Sequence, residues 1–301
     1  MLFYSLFDTT SLRKKVILNE NKVVEEYMEQ KADKKAEEMA IQENLDRIKY
    51  KLVVISGKGG VGKSTVAVNA AFALALNGKK VGILDVDIHG PSIAKMLGIE
   101  GRTLKAATAD GRPQPIRVVE NIYALTIASM MPNPDEPIIW RGPLKIGVIR
   151  QFMQDIEWPE LDYLIVDCPP GTGDEPLSVI QTLKKVDGTI IVSTPQDVSL
   201  LDARKTITFS GKMNVPVIGI VENMAMFLCP HCGEPIDIFK GTGVQKAADD
   251  FGVDILGSIP IDANIVKTSD SGRPFVYDFG KTLAAQAMQS IVTKIIEKVE
   301  K

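Results

Sequence analysis

The sequence predicts a doubly wound α/β fold, a mostly parallel sheet flanked by helices, and two observations carry that expectation. The first is a series of short apolar runs: LVVIS (52–56), VGILD (81–85), YLIVD (163–167), TIIVS (189–193), PVIGIV (216–221) and DILGSIP (254–260). Their Val, Ile and Leu residues are continuous rather than alternating, which indicates strands covered on both faces by helices. The second is the spacing. Segments around 143–156, 176–185, 199–211 and 243–251 are long enough to be the crossovers that parallel neighbours require.

Taken in order, the chain opens on residues 1–50, whose composition differs from that of the remaining 251. Glu20–Lys49 is dense in Lys and Glu and has no Gly or Pro, a composition that favours a solvated helix. Met28, Met39, Ile41, Leu45 and Ile48 form a thin apolar stripe, enough to dock one face at most. Residues 1–50 are therefore expected to be a helical, loosely held arm, and 51–301 one domain. After the first strand, Lys63–Leu76 reads as a helix rich in Ala, Val and Leu. The stretch 98–140, with its Gly, Pro and short polar runs, is expected to hold a hairpin and surface loops. Lys281–Lys301 reads as a closing amphipathic helix, with Leu283, Met288, Ile291, Ile295 and Val299 at helical spacing.

Composition removes several classes of function. Thirty-five basic residues against thirty-eight acidic give a net charge of −3, so no basic excess exists to neutralise nucleic-acid phosphates. No run approaches the roughly 18–20 apolar residues of a membrane span. The N-terminal MLFYSLF has no basic segment before it and makes a poor signal peptide. Three cysteines are too few for a disulfide scaffold, and an odd number fits a reducing cytoplasm.

Gly57-Lys58-Gly59-Gly60-Val61-Gly62-Lys63-Ser64 fits G-x-x-x-x-G-K-[ST], between a strand ending at Ser56 and a helix opening at Lys63. Glycines let successive N–H groups converge on phosphate oxygens, and the helix N-terminus adds its positive dipole end. Thr65 comes next, in the first turn. Lys63 is placed to reach the β- and γ-phosphates and Ser64 to ligate Mg²⁺. Leu84-Asp85-Val86-Asp87 lies at the end of the second strand, and Asp167 ends YLIVD, so all three acids are expected at the carboxyl edge beside this loop. Asp167 occupies the position of a Walker B acid, which holds Mg²⁺ through water. Pro169-Pro170-Gly171-Thr172-Gly173-Asp174 comes next, a loop whose amides could sense a γ-phosphate. Cys168 reads as a small buried filler.

Cys229-Pro230-His231-Cys232-Gly233 allows three readings. A redox dithiol normally places its first cysteine at a helix N-terminus, whereas Gly233 and Pro235 break a helix. A zinc knuckle needs four ligands, and the chain offers no second pair. Two chains donating two thiolates each would complete a four-thiolate site, suited to a [4Fe–4S] cluster and also to zinc. Cys229 and Cys232 are the candidate ligands in a loop at about 224–240. His89 and His231 are too far apart in sequence to suggest a histidine-based metal site.

The early lysine in K-G-G-V-G-K-S resembles the deviant P-loop of the ParA, MinD and nitrogenase-iron-protein ATPases. In order along about residues 45–280, K-G-G-V-G-K-S-T, L-D-V-D-I-H-G-P-S, D-C-P-P-G-T-G-D, T-P-Q-D-V-S-L, V-E-N-M and C-P-H-C-G closely resemble the Mrp/ApbC family of iron–sulfur cluster carrier ATPases. The resemblance implies a cytosolic homodimer that binds ATP and Mg²⁺, bridges a labile [4Fe–4S] cluster between C-x-x-C pairs and passes it to apo-proteins, in exchange with an assembly scaffold. It implies that Lys58 crosses the dimer interface to the partner's nucleotide. It also implies that Asp87 orients the attacking water, Asp85 supports the metal and Asn223 reads adenine. Some relatives carry a further N-terminal four-cysteine motif, and residues 1–50 contain no cysteine. The alternative is a MinD/ParA-type positioning or partitioning ATPase, which would have the same P-loop but no use for the cysteine pair.

Overall fold

Strand β1 (Ile48–Ile55) lies at the centre of the sheet, and its side chains explain why the apolar run is continuous. Leu52 and Val54 enter the core on one face, while Val53 and Ile55 enter a second core on the other. The strand alternates, but both directions lead away from water. In the computed structural model, residues 28, 31–87, 90–104, 111–130, 142–229 and 231–301 are described.

The remaining strands are β2 (Val81–Asp85), β3 (Ile116–Val119), β4 (Ile122–Thr126), β5 (Leu161–Asp167), β6 (Gly188–Ser193), β7 (Val217–Leu228), β8 (Pro235–Ile236) and β9 (Ile255–Ile261). Their order is β3-β4-β2-β5-β1-β6-β7-β8, with β9 also paired to β7. All pairings are parallel except β3 with β4 and β7 with β8. The hairpin expected within 98–140 is β3–β4. Order reverses around β1, and that switch point opens a crevice at the carboxyl ends of the strands.

One face is covered by α2 (Lys63–Leu76), α3 (Ile93–Met96), α9 (Phe275–Asp278) and α10 (Leu283–Val299). The other is covered by α1 (31–46), α4 (Gly142–Asp155), α5 (Asp174–Leu183), α6 (Ser199–Lys212) and α7 (Gly243–Phe251). A short α8 (Ala263–Asp270) packs beside α3 and α9. Among the described residues no helix is long and apolar enough to cross a membrane.

The structure corrects the expected boundary at residue 50. The first strand begins at Ile48, and the last turns of α1 are held rather than loose. Of the thin stripe, Met28 and Met39 are exposed, but Ile41, Leu45 and Ile48 are buried against the core. Asn44 Nδ2 donates to the carbonyls of Met153 at 2.9 Å and Gln154 at 3.0 Å, satisfying the free end of α4. Arg47 pairs with Glu157 at 3.2 Å. The buried Lys51 ammonium donates to the carbonyls of Leu45 and Ile48, closing the end of α1. Residues 1–27 lie outside the described residues.

A second correction concerns β7. The strand read as PVIGIV (216–221) does not end there but continues through V-E-N-M. The backbone kinks at Met224, where φ is +59, and the strand runs on to Leu228. The register against β9 shifts between Asn223 and Phe227, so extra residues of β7 are accommodated there, ahead of the end that pairs with β8.

Candidate functional site

The carboxyl ends of β1, β2 and β5 bring the predicted loop and acids together. After β1 the chain turns through 57–62 into α2. Gly62 has a φ of +83, and a Cβ there would lie 2.1 Å from Asn223 Nδ2, so this turn requires glycine. No side chain caps the start of α2, the condition in which a helix N-terminus serves an anion. A cavity of about 260 Å³ opens here, lined by Lys58, Gly59, Gly60, Gly62, Lys63, Ser64, Thr65 and Asp87. Ser56, Gly90, Ser92, Met96 and Pro170 complete the wall. Gly57 and Val61 stand behind it, Gly57 against Asp202 and Val61 buried.

Lys63 is 6% exposed, and its ammonium lies 2.6 Å from Asp167 Oδ1 and 3.5 Å from Asp87 Oδ2. Burial opposes its charge, but Asp167, by charge and hydrogen bond, and Asp87 behind it hold its pKa above the ordinary lysine value. Ser64 Oγ donates to the other oxygen of Asp167 at 2.5 Å. Asp85 and Asp167 are register partners on β2 and β5, and both are fully buried. Burial first, and the Asp167 charge second, push Asp85 up to about 8. Burial raises Asp167 too, against the pull of Lys63 and Ser64. Three carboxyl groups crowd the Lys63 ammonium, and Asp85 is the one that keeps its proton at neutral pH. The all-oxygen donor set of Ser64, Asp167 and Asp85 suits Mg²⁺.

Two residues with a part in this site had no role assigned to them in the sequence. Thr126, at the end of β4, donates from Oγ1 to Asp85 at 3.0 Å, while the backbone N–H of Asp87 donates to the other oxygen of Asp85 at 3.1 Å. Finding Thr126 requires knowing that β4 pairs with β2. Gln196, within T-P-Q-D-V-S-L, accepts from Lys58 Nζ at 3.3 Å, so in the single chain the early lysine rests on its own protein. Asn223 is buried and its amide donates to the Val61 carbonyl at 2.9 Å, which braces the phosphate loop.

Cys229 and Cys232 do not line the cavity. They sit at the tip of the β7–β8 hairpin, where Cys229 N–H donates to the Glu234 carbonyl at 3.0 Å and Gly233 N–H to the Cys229 carbonyl at 2.8 Å. The loop expected at about 224–240 is thus in part a strand pair closed by a turn, with Pro235 tolerated because β8 is an edge strand. Cys229 is half-buried and Cys232 exposed. Backbone N–H groups of His231 and Cys232, together with the Cys232 side chain, bring the Cys229 thiol below its ordinary pKa. Cys168 is fully buried, and burial pushes its thiol far up, as fits an inert filler. Among the described residues no three His, Cys, Asp or Glu side chains converge to hold a metal ion. His89 lies outside the described residues.

A buried strand, a glycine loop, an uncapped helix and two strand-end acids define a P-loop nucleoside triphosphatase, a nucleotide-binding and hydrolysing fold. Residues 47–296 match the family model described as NUBPL iron-transfer P-loop NTPase, within ParA, and the chain belongs to that family. A protein of Methanocaldococcus jannaschii named iron-sulfur cluster carrier protein is 50% identical over 260 residues, covering 86% of this chain and 88% of its own length. One of Pyrococcus abyssi with the same name is 47% identical over 274 residues, with 86% and 90% covered. Among solved structures, a nucleotide-binding protein of Archaeoglobus fulgidus in complex with ADP superposes with a TM-score of 0.70 at 39% identity, covering 82% of this chain and 98% of that one. The cell division ATPase MinD of Pyrococcus furiosus, at 23% identity and a TM-score of 0.59 over 82% of this chain and 98% of its own, shares the fold.

Proposed function

We propose that this chain is a cytoplasmic ATPase that carries a labile [4Fe–4S] cluster across a homodimer and delivers it to apo-proteins. The observation that supports this most is the hairpin-tip pair Cys229 and Cys232, with one thiol acidified by backbone N–H groups, on a P-loop NTPase. One chain supplies two thiolates there, and a four-coordinate cluster needs four. The cargo is bound as a substrate between two chains, and its release is a ligand exchange with the recipient's own thiolates. Zinc is the alternative occupant of the same pair.

At the other end, ATP binds with Mg²⁺ in the cavity at α2. An incoming phosphate competes with Asp167 for Lys63, drawing the ammonium from its 2.6 Å contact toward the β- and γ-oxygens. Ser64, Asp167 and Asp85 are the residues that would hold Mg²⁺, which would neutralise charge on the phosphates, and Asp87 orients the attacking water. Lys58 exchanges Gln196 for the partner's nucleotide when two chains meet. Asn223 braces the phosphate loop through Val61 and, as the resemblance implies, reads adenine. Turnover is slow, as befits a timer rather than a metabolic hydrolase.

Anaerobic reconstitution with iron and sulfide tests this reading. The wild type is expected to develop a brown chromophore that Cys229→Ala and Cys232→Ala lack and Cys168→Ala retains. An equally coloured Cys232→Ala protein would remove the pair from the function.

A further inference from the structure

The segment that leaves the cysteine hairpin runs directly onto the loop that holds Lys58. After β8, Asp237 Oδ1 accepts from Phe239 N–H at 3.2 Å and Lys240 N–H at 2.7 Å, folding the chain back. Gly241 and Gly243 then press on the loop before α6. A Cβ on Gly241 would stand 2.1 Å from the Pro195 carbonyl oxygen, and one on Gly243 would stand 2.8 Å from that of Gln196. Between them, Thr242 N–H donates to Asp197 Oδ1 at 3.2 Å. Gln196, gripped this way on its backbone, is the residue whose side chain accepts from Lys58. There is no room for a side chain in this stack and therefore little slack.

The hairpin at the other end of the segment is lightly held. β8 is a two-residue edge strand, paired only through Phe227 with Ile236 and Leu228 with Pro235. Drawing two thiolates onto a metal can shift it, and Gly241–Gly243 has nowhere to move without carrying 195–197 along. We propose that Gln196 and Asp197 are positioning residues that tie the signature lysine Lys58 to the cysteine hairpin, so that metal at the hairpin and nucleotide at the P-loop alter each other's affinity. This rests on the reading of Cys229 and Cys232 as the metal-binding pair, and it supplies the physical connection that reading needs.

The test uses the full chain, with Zn²⁺ alone and ADP as probes. ADP affinity is measured with and without Zn²⁺, and Zn²⁺ affinity with and without ADP, in wild type, Gln196→Ala, Asp197→Ala and Cys229→Ala. Asp197 is exposed, so its variant carries little risk to folding. In the wild type, Zn²⁺ is expected to change ADP affinity by about threefold or more, and ADP to change Zn²⁺ affinity by the same factor, as linkage requires. In Gln196→Ala and Asp197→Ala each ligand still binds, but the factor collapses toward one. A residue that served only to hold the fold would weaken both affinities and leave their ratio intact. A wild-type factor of one with both ligands bound overturns the tie, and a factor kept in either variant overturns the role of that residue. Zn²⁺ binding unchanged in Cys229→Ala overturns the carrier reading itself, and the tie with it.

Discussion

Two points along β7 handle charge in opposite ways. Near its middle, Asn223 is buried under a phosphate loop whose lysine and acids already touch one another. At its far end, Cys229 and Cys232 stand at an exposed turn with no third ligand from the described residues of the same chain. The first site is assembled before its ligand arrives and crowds buried carboxyl groups around one lysine. In the proposed reading the second is half a site, which another chain or an incoming protein completes. A carrier needs this asymmetry: the nucleotide end must be rigid to time a reaction, whereas the cargo end must be open to exchange.

The largest effect is expected from Lys63→Ala. It removes the ammonium that each chain sets against its own bound phosphates, and hydrolysis should fall by about 10²–10³-fold or more. Circular dichroism should show a retained fold, since Asp167 can take up a proton, and metal binding at the hairpin should persist. Undiminished phosphate release would remove the P-loop from the mechanism and break the contrast.

Next come two substitutions on the same stretch of chain. Asn223→Ala leaves the buried Val61 carbonyl without its donor and should cost about 1–3 kcal/mol in chemical denaturation. Cys232→Ala, at an exposed turn, should cost within about 0.5 kcal/mol in the metal-free protein. Equal losses would mean the hairpin is as built-in as the phosphate loop.

The charge contrast also predicts a pH dependence. Asp85 has a folded pKa of about 8, above its ordinary value. It binds a proton more tightly folded than unfolded, so its contribution is full below the ordinary carboxylate range and is lost as pH rises through about 8. Lys63, raised in the fold, keeps its contribution until pH passes the lysine range. The metal- and nucleotide-free protein should therefore melt at a lower temperature at pH 9 than at pH 6, and Asp85→Asn should flatten that slope. A melting temperature that rises over this interval would contradict the buried, protonated state of Asp85.

The smallest effect is expected from deleting residues 1–27. The buried part of α1 begins at Ile41, and the last turns carry the contacts of Asn44 and Arg47. Truncation should move the melting temperature little and leave ATP binding unchanged. A large fall would show that the N-terminal segment is part of the core.

Most of the fold was legible because burial on both faces leaves a direct trace in continuous apolar runs. Helix α2 falls on Lys63–Leu76, as its composition indicated, and the Lys63, Asp87 and Asp167 cluster arises from strand ends meeting at one edge. What was not legible depends on contacts between distant segments. Ile41, Leu45 and Ile48 looked like a marginal stripe, and only the groove beside α4, with Asn44 on its free carbonyls, turns it into a docking face. Thr126 and Gln196 carry no motif of their own, since each acts through a partner that sheet topology or loop packing brings to it. The extension of β7 past Met224 was hidden by a backbone kink at a residue type that rarely adopts positive φ.

The central claim is that two chains share one cluster at their hairpin tips, and counting atoms on a sized particle tests it most directly. Iron and sulfide should be determined on anaerobically reconstituted protein, with the mass of the same sample measured by sedimentation. The account predicts about four iron and four sulfide for each pair of chains, on a dimer, with a loss in Cys229→Ala and Cys232→Ala and none in Cys168→Ala. A full cluster on a monomer, or one zinc per chain with no iron retained, would contradict it.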